Sequence, residues 1–368
     1  MAPVIRLLQE AEGIDSKVCV TAQHREMLDQ VLSLFQIQTD LDLDLMRESQ
    51  DLFDVTARVI SGMKRVLEEI APDLVLVHGD TTTTFAAALA SYYAGIPIGH
   101  VEAGLRTGDK FAPFPEEINR QLADRLADLH FAPTKKAREN LVQESLRPEG
   151  IVVTGNTSID ALLWIQQEIR SGNLKPNPSL LDIEPDRRIV LITAHRRESF
   201  GKGFENICLA IRDLGERYPE TLFVYPVHLN PNVQEPVQRH LSGLSNIRLL
   251  EPLPYAEIVA LLERSHLVIT DSGGIQEEAP ALGKPVLVLR EVTERPEAVE
   301  AGTVLLVGAN RDKIVGEASR LLDDPGTHSE FSRKINPYGD GQAAERIVGE
   351  ICKYFGLSDP YGLEPFSG

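Results

Sequence analysis

Short apolar runs alternate with amphipathic helical stretches along nearly the whole chain, and this alternation constrains the fold more than any other feature. Candidate strands are Lys17–Thr21, Leu74–His78, Ile98–Val101, Leu129–Ala132 and Ile151–Thr154. They resume at Ile189–Thr193, Leu222–Pro226, Ile247–Leu250, Leu267–Thr270, Val286–Leu289 and Val304–Val307. Pro97 precedes the third run, where the start of a strand tolerates it. Helical periodicity fills the gaps, as in Val55–Ile70, Thr84–Tyr93, Glu116–Leu126 and Phe204–Leu214. Such alternation predicts an α/β protein with parallel sheets wound on both faces. The segment Arg170–Arg187 lacks periodicity, carries Gly172, Pro176, Pro178 and Pro185, and reads as a linker between two doubly wound domains of similar size. Ligands in such sheets bind beyond the carboxyl ends of the strands, and a cleft between two of them is the expected site.

The chain has 368 residues, long enough for two domains, with 42% hydrophobic and 25% charged residues. Its net charge of −18 argues against nucleic acid or an acidic membrane surface as main partner, since both need a basic face. A small anion needs only a local basic pocket. Cys19, Cys208 and Cys352 show neither metal nor redox spacing and read as buried or half-buried thiols of a reducing compartment. No apolar run is long enough to span a membrane, and Met1-Ala-Pro-Val-Ile-Arg-Leu-Leu reads as the first turns of a helix rather than a signal peptide. A cytoplasmic setting is expected.

Residues 269–279 read Ile-Thr-Asp-Ser-Gly-Gly-Ile-Gln-Glu-Glu-Ala. A strand enters a Ser272-Gly273-Gly274 turn and a helix leaves it. Backbone N–H groups and the positive end of a helix dipole then converge on one spot, a site suited to a diphosphate. Glycines let a ligand approach the backbone closely. A carboxylate one turn further, Glu277 or Glu278, would repel phosphate and suits hydroxyls instead. The plainer alternative is a strand–turn–helix with Asp271 or Ser272 as N-cap.

Other strand ends are polar as well. Leu74–Val77 runs into His78-Gly79-Asp80, Ile98–Val101 into Glu102, and Pro115 introduces Glu116 and Glu117 at a helix start. Each acid has an ordinary account: Asp80 as an N-cap, Glu102 facing water, Glu116 in an i,i+4 pair with Arg120. Together, opposed carboxylates are what proton abstraction and return require, because burial and mutual repulsion raise one pKa toward the general-base range. In the second half, His195-Arg196-Arg197 is a basic strand end suited to phosphate oxygens, His228 ends another strand, and Arg295 is a further candidate for charge or hydroxyls. Neither a P-loop nor a dinucleotide fingerprint is present, and no Cys/His/Asp/Glu set has metal spacing.

The segments "TAQHREMLDQVL" (21–32), "VLVHGDTTTT" (75–84), "GHVEAGLRTGD" (99–109), "PFPEEINR" (113–120), "TGN" (154–156) and "HRRESFGKGFE" (195–205) occur in this order. "YPVHLNPNV" (225–233), "TDSGGIQEEAPALGKPVLVLR" (270–290), "TERPEAV" (293–299) and "NPYGDGQA" (336–343) follow them. This series resembles the non-hydrolysing UDP-N-acetylglucosamine 2-epimerases over residues 1 to about 350. The resemblance implies a glycosyltransferase-B-type fold, with residues 1–168 plus 343–358 in one Rossmann-like domain and 187–342 in a UDP-binding one. It implies that the helix near Ala343–Phe355 returns to the first domain.

The implied reaction inverts C2 of UDP-GlcNAc to give UDP-ManNAc, through elimination of UDP, a 2-acetamidoglucal and re-addition, without NAD or metal. The product would supply ManNAc for cell-surface polysaccharide, and relatives are dimers. Asp80, Glu102 and Glu116 correspond to acid/base carboxylates, with their division of labour open. His195 and Arg295 correspond to nucleotide-sugar contacts, as Arg120 does to a substrate contact. Ser272, Gly273 and Gly274 correspond to the diphosphate turn and Glu278 to the ribose acceptor. The pyrimidine pocket falls at Leu253 to Ile258, where some relatives carry an aromatic in place of Ile258.

Two departures bear on these expectations. Relatives begin with a strand and a "GTRPEA" loop ahead of "MAPV", so the natural start is expected upstream of Met1, with neighbouring strand edges exposed otherwise. Some relatives bind a second UDP-GlcNAc as activator; Gln23, Arg58 and His228 match that site, but Glu26 stands where a glutamine is usual. The alternatives are a glycosyltransferase of the same fold, a UDP-sugar binding protein inactive without its N-terminal loop, and a hydrolysing epimerase that releases ManNAc.

Overall fold

The computed structural model describes residues 1–368 apart from 22–24, 46, 48, 49, 178–182, 185 and 294, and apart from the side chains of 26 and 27. The chain divides into two compact units, Met1–Ala161 with Gly339–Gly368, and Leu162–Tyr338. The first break falls inside a helix, before the Arg170–Arg187 segment that its composition marks as a linker.

Unit 1 runs α1 (Ala2–Glu10), β1 (Cys19–Val20), α2 (Arg25–Leu34), β2 (Leu41–Asp42), α3 (Leu52–Ile70), β3 (Val75–His78) and α4 (Thr82–Tyr93). It continues with β4 (Ile98–Val101), α5 (Glu116–Leu126), β5 (Leu129–Ala132), α6 (Lys135–Gln143), β6 (Ile151–Val153) and the start of α7 (Thr157–Arg170). Strands β3-β4-β5-β6 form one parallel sheet in that order, and β1 pairs with β2 in a separate parallel ladder. The expected strand Lys17–Thr21 is thus reduced to two residues. Among the described residues its neighbour is β2, which follows Asp40 and itself ends on Asp42, and so lacks the apolar pattern by which a strand is recognised. Helix starts also shift by a few residues. A reciprocal Asp51–Asp54 capping box starts α3 at Leu52, and Thr81 caps α4.

Unit 2 runs β7 (Ile189–Thr193), α8 (Lys202–Arg217), β8 (Leu222–Pro226), α9 (Pro231–Leu241), β9 (Ile247–Leu250), α10 (Tyr255–Arg264) and β10 (Leu267–Thr270). Then come α11 (Gly273–Ala281), β11 (Val286–Val288), α12 (Pro296–Glu300), β12 (Val304–Leu306), α13 (Arg311–Asp323) and α14 (Pro325–Ser332). The sheet order is β12-β11-β10-β7-β8-β9, all parallel, the doubly wound order with its reversal between β7 and β10. Leu191, Ile192, Val268 and Ile269 are fully buried, which is why these central strands read as unbroken apolar runs.

The last helix, α15 (Ala343–Tyr354), belongs to unit 1 and packs on α1, where Ile347, Val348 and Ile351 join Val4 and Leu8 in one core cluster. Cys208 and Cys352 are buried, and burial pushes the Cys208 thiol up to about 12. Among the described residues no helix is long and apolar enough to cross a membrane.

Candidate active site

In unit 1 three acids gather at the carboxyl ends of β3 and β4 and at the start of α5. Asp80 follows β3. Because Thr81 takes the capping role, accepting the Thr84 N–H at 3.2 Å, the Asp80 carboxylate is not spent on α4. Its backbone carbonyl accepts from Asn119 Nδ2 at 3.0 Å. Burial raises the Asp80 pKa; the Arg120 guanidinium opposes the rise, and Glu102 and Glu116 add to it. The three carboxylates therefore feel one another.

Glu102, just past β4, sits at φ 66°, the left-handed region that a side chain other than glycine rarely adopts. Its Oε2 lies 2.9 Å from His78 Nε2. Glu116 opens α5, where a carboxylate favours the helix dipole, yet its Oε2 is buried and has no hydrogen-bond partner among the described residues. The i,i+4 pair weighed for Glu116 and Arg120 does not form between side chains. Arg120 Nε meets the Glu116 carbonyl at 3.4 Å, while its guanidinium lies 3.3 Å from Glu117 Oε2 and 3.6 Å from Asp80 Oδ2. The neighbouring Glu117 is a structural acid: fully buried, it accepts the N–H groups of Thr107 at 3.1 Å and Gly108 at 3.2 Å.

Beneath these loops lies a buried chain that the sequence reading missed. His100 Nδ1 is 2.6 Å from Asp124 Oδ1, and Nε2 donates to the Gly79 carbonyl at 2.8 Å. Asp124 Oδ2 accepts from Gly104 N at 3.2 Å and pairs with Arg106 at 2.8 Å. Burial disfavours charge on His100, but the Asp124 carboxylate and the Gly79 carbonyl outweigh it, and the pKa is raised. The His100–Asp124 pair thus fixes both the peptide before Asp80 and the turn after Glu102. Its only sequence signal was a histidine inside an otherwise apolar run.

In unit 2 the loops after β7 and β10 meet at the reversal of strand order. Ser272 is the N-cap of α11 but makes no side-chain capping bond; its own N–H goes to Thr270 Oγ1 at 2.9 Å. The first-turn N–H groups of α11 have no intrahelical partner by geometry, as an anion site requires. The two glycines differ. A Cβ on Gly273 would lie 2.5 Å from Arg295 Nη1, so the bare backbone is what lets the guanidinium rest there, whereas a Cβ on Gly274 would meet nothing. Arg295 is held by Glu277 Oε1 at 2.5 Å.

Glu278 is 9% exposed and accepts from the Tyr255 hydroxyl at 3.0 Å; burial raises its pKa to about 7. That bond brings the segment holding Leu253 and Ile258, both half-buried, to the side of Glu278. Tyr255 itself was not singled out from sequence, although it stands within the expected pyrimidine segment. The His195 ring stacks on His228 with centroids 5.4 Å apart and planes 9° apart. Of the three candidate activator residues, His228 therefore adjoins His195. Arg58 lies on α3, donating to the Leu45 carbonyl at 3.4 Å, and Gln23 lies outside the described residues.

The comparison with known proteins fits this geometry. The family model described as UDP-N-acetylglucosamine 2-epimerase matches residues 6–352. A UDP-N-acetylglucosamine 2-epimerase of Yersinia pestis is 55% identical over 353 residues, covering 95% of this chain and 93% of its own. That of Escherichia coli strain K12 is 53% identical over 353 residues, with the same coverages, 95% and 93%. The crystal structure of UDP-GlcNAc 2-epimerase from Neisseria meningitidis bound to UDP-GlcNAc superposes with a TM-score of 0.87 at 50% identity, covering 96% of each chain. With a doubly wound sheet in unit 2, a parallel sheet in unit 1, and acids and a glycine turn at their strand ends, the chain belongs to the UDP-N-acetylglucosamine 2-epimerase family.

Proposed function

We propose that this chain interconverts UDP-GlcNAc and UDP-ManNAc by eliminating and re-adding UDP. The observation that carries the mechanism is the carboxylate set Asp80, Glu102 and Glu116, in which burial and the other two acids raise the pKa of Asp80. A carboxylate takes the proton from C2, the C1–O bond to the β-phosphate breaks with its electron pair on UDP, and C1=C2 forms in a 2-acetamidoglucal. Return of UDP to C1 with a proton delivered to the other face of C2 gives the epimer. The three acids divide the roles of base, acid and contact to the C3 oxygen.

Unit 2 holds the leaving group. The Ser272-Gly273-Gly274 turn receives the diphosphate on the first-turn N–H groups of Gly273 and Gly274, with His195 and Arg295 beside it, Glu278 accepts the ribose hydroxyls, and Leu253 and Ile258 flank the pyrimidine. Arg120, lying between Asp80 and Glu117, steadies the sugar side. The chain works as a homodimer in this reading. Exposed Phe53, Tyr92, Tyr93 and Leu122 stand on the successive packed helices α3, α4 and α5, apolar surface that a second copy would cover. Light scattering checks this.

The test is product analysis by NMR. UDP-GlcNAc alone should yield UDP-ManNAc, and the reverse reaction should proceed. A requirement for an acceptor would favour a glycosyltransferase, release of free ManNAc a hydrolysing epimerase, and UDP binding without turnover a binding protein.

A further inference from the structure

Asp271 is a carboxylate that no step above uses. It directly follows β10, fully buried, and because α11 takes Ser272 as its cap, the capping account of Asp271 falls away. Its partners lie on the neighbouring strand's loop instead. Oδ2 accepts the backbone N–H groups of His195 and Arg196, each at 2.7 Å. Oδ1 stands 3.4 Å from His195 Nδ1 and has no hydrogen-bond partner among the described residues. One side chain thus joins the two loops that flank the reversal of strand order, where ligands of such sheets bind. A buried carboxylate oxygen left unbonded is costly, and a shift of a few tenths of an ångström in the imidazole turns this contact into a charge-assisted bond.

We infer that Asp271 is a positioning residue that acts through His195, keeping a proton on Nδ1 and so presenting Nε2 to the diphosphate. The inference rests on the reading of the Ser272 turn as the diphosphate site. The stacked His228 ring restricts rotation on one side, and the two N–H bonds fix the backbone from which the imidazole projects. The groups facing His195 are Asp271, His228 and Arg196. Burial, His228 and Arg196 lower its pKa, and Asp271 is the one that raises it. When C1–O breaks, negative charge gathers on the β-phosphate oxygens. That charge draws a proton from solvent onto the free Nε2 of the Nδ1-protonated ring, and the resulting imidazolium, with Asp271 behind it, donates Nε2–H to the phosphate, the arrangement in which a buried aspartate sets the tautomer of a working histidine.

The test is Asp271→Asn in the full chain. The variant keeps an amide oxygen for the two N–H groups but offers Nδ1 an NH₂, which cannot accept its proton. Expected are a fall in the His195 pKa of about half a unit or more by NMR titration without ligand, and a loss in kcat on the order of 10- to 100-fold, with KM changing far less. Loss of kcat with an unmoved His195 titration would overturn the inference, leaving only loop bracing; so would an unchanged kcat in a folded variant. Should the variant not fold, imidazole nitrogen shifts in the unmodified protein decide. A neutral His195 protonated on Nδ1 supports the inference and one protonated on Nε2 overturns it. If the unmodified protein bound no UDP by calorimetry while the tautomer held, the diphosphate reading would fail and the Asp271–His195 link would stand.

Discussion

The Tyr255 hydroxyl donates to Glu278 Oε1 at 3.0 Å, and this bond is what a 9% exposed carboxylate has to set against the cost of its burial. It does not fully compensate, since burial still lifts the Glu278 pKa to about 7.

A pH dependence follows. Because the folded value exceeds the ordinary 4.5, the ionised carboxylate weakens the fold. The contribution of Glu278 to stability is fully present below pH 4.5 and is lost as the pH rises through about 7. Glu278→Gln should therefore leave the urea midpoint unchanged near pH 4 and raise stability by roughly 1–3 kcal/mol at pH 8. The same variant should lose UDP affinity. In the unmodified protein, UDP binding should tighten as the pH rises through about 7, because the ribose hydroxyls need an acceptor that the protonated acid offers less well; calorimetry across the range checks this.

The two glycines of the turn separate stability from binding. Gly274→Ala places a methyl in open space on a helical first turn, so the melting temperature should hold or rise slightly, by up to about 1 kcal/mol in stability, while UDP binding weakens at least about tenfold. Gly273→Ala displaces Arg295 from its place beside Glu277 and should reduce both. Thermal melts and calorimetry on the pair tell these outcomes apart.

Adjacent acids on α5 should behave oppositely. Glu116 has a buried Oε2 with no hydrogen-bond partner among the described residues, so Glu116→Gln should cost the fold little and lower kcat by about 10²-fold or more. Glu117 is fully buried and accepts from Thr107 and Gly108, so Glu117→Ala should cost about 3 kcal/mol or more by leaving those groups unmatched and taking from Arg120 the nearer of its two carboxylates. Urea denaturation and steady-state kinetics distinguish them.

What the sequence disclosed follows from which forces are local. Strands β3 to β12 are legible because strands such as β7 and β10 are buried on both faces and cannot be other than apolar runs. The β1–β2 ladder is not, since Leu41-Asp42 carries no pattern and is a strand only because Cys19-Val20 lies beside it. Glu116 and Glu117 look alike in sequence; only the fold turns one into a loop anchor and leaves Oε2 of the other without a hydrogen-bond partner among the described residues. Asp271 reads locally as a helix cap, whereas its partners are 75 and 76 residues away. His100 and Asp124 are hidden in the same way, as a pair that only the packing of β4 on α5 makes.

The central claim is that carboxylates of unit 1 remove and return the C2 proton. Incubation with UDP-GlcNAc in deuterated water tests it most directly. Deuterium is expected at C2 of both UDP-GlcNAc and UDP-ManNAc at equilibrium, with incorporation slowed about 10²-fold or more in Asp80→Asn while UDP binding persists. UDP-ManNAc formed without deuterium at C2 would contradict it.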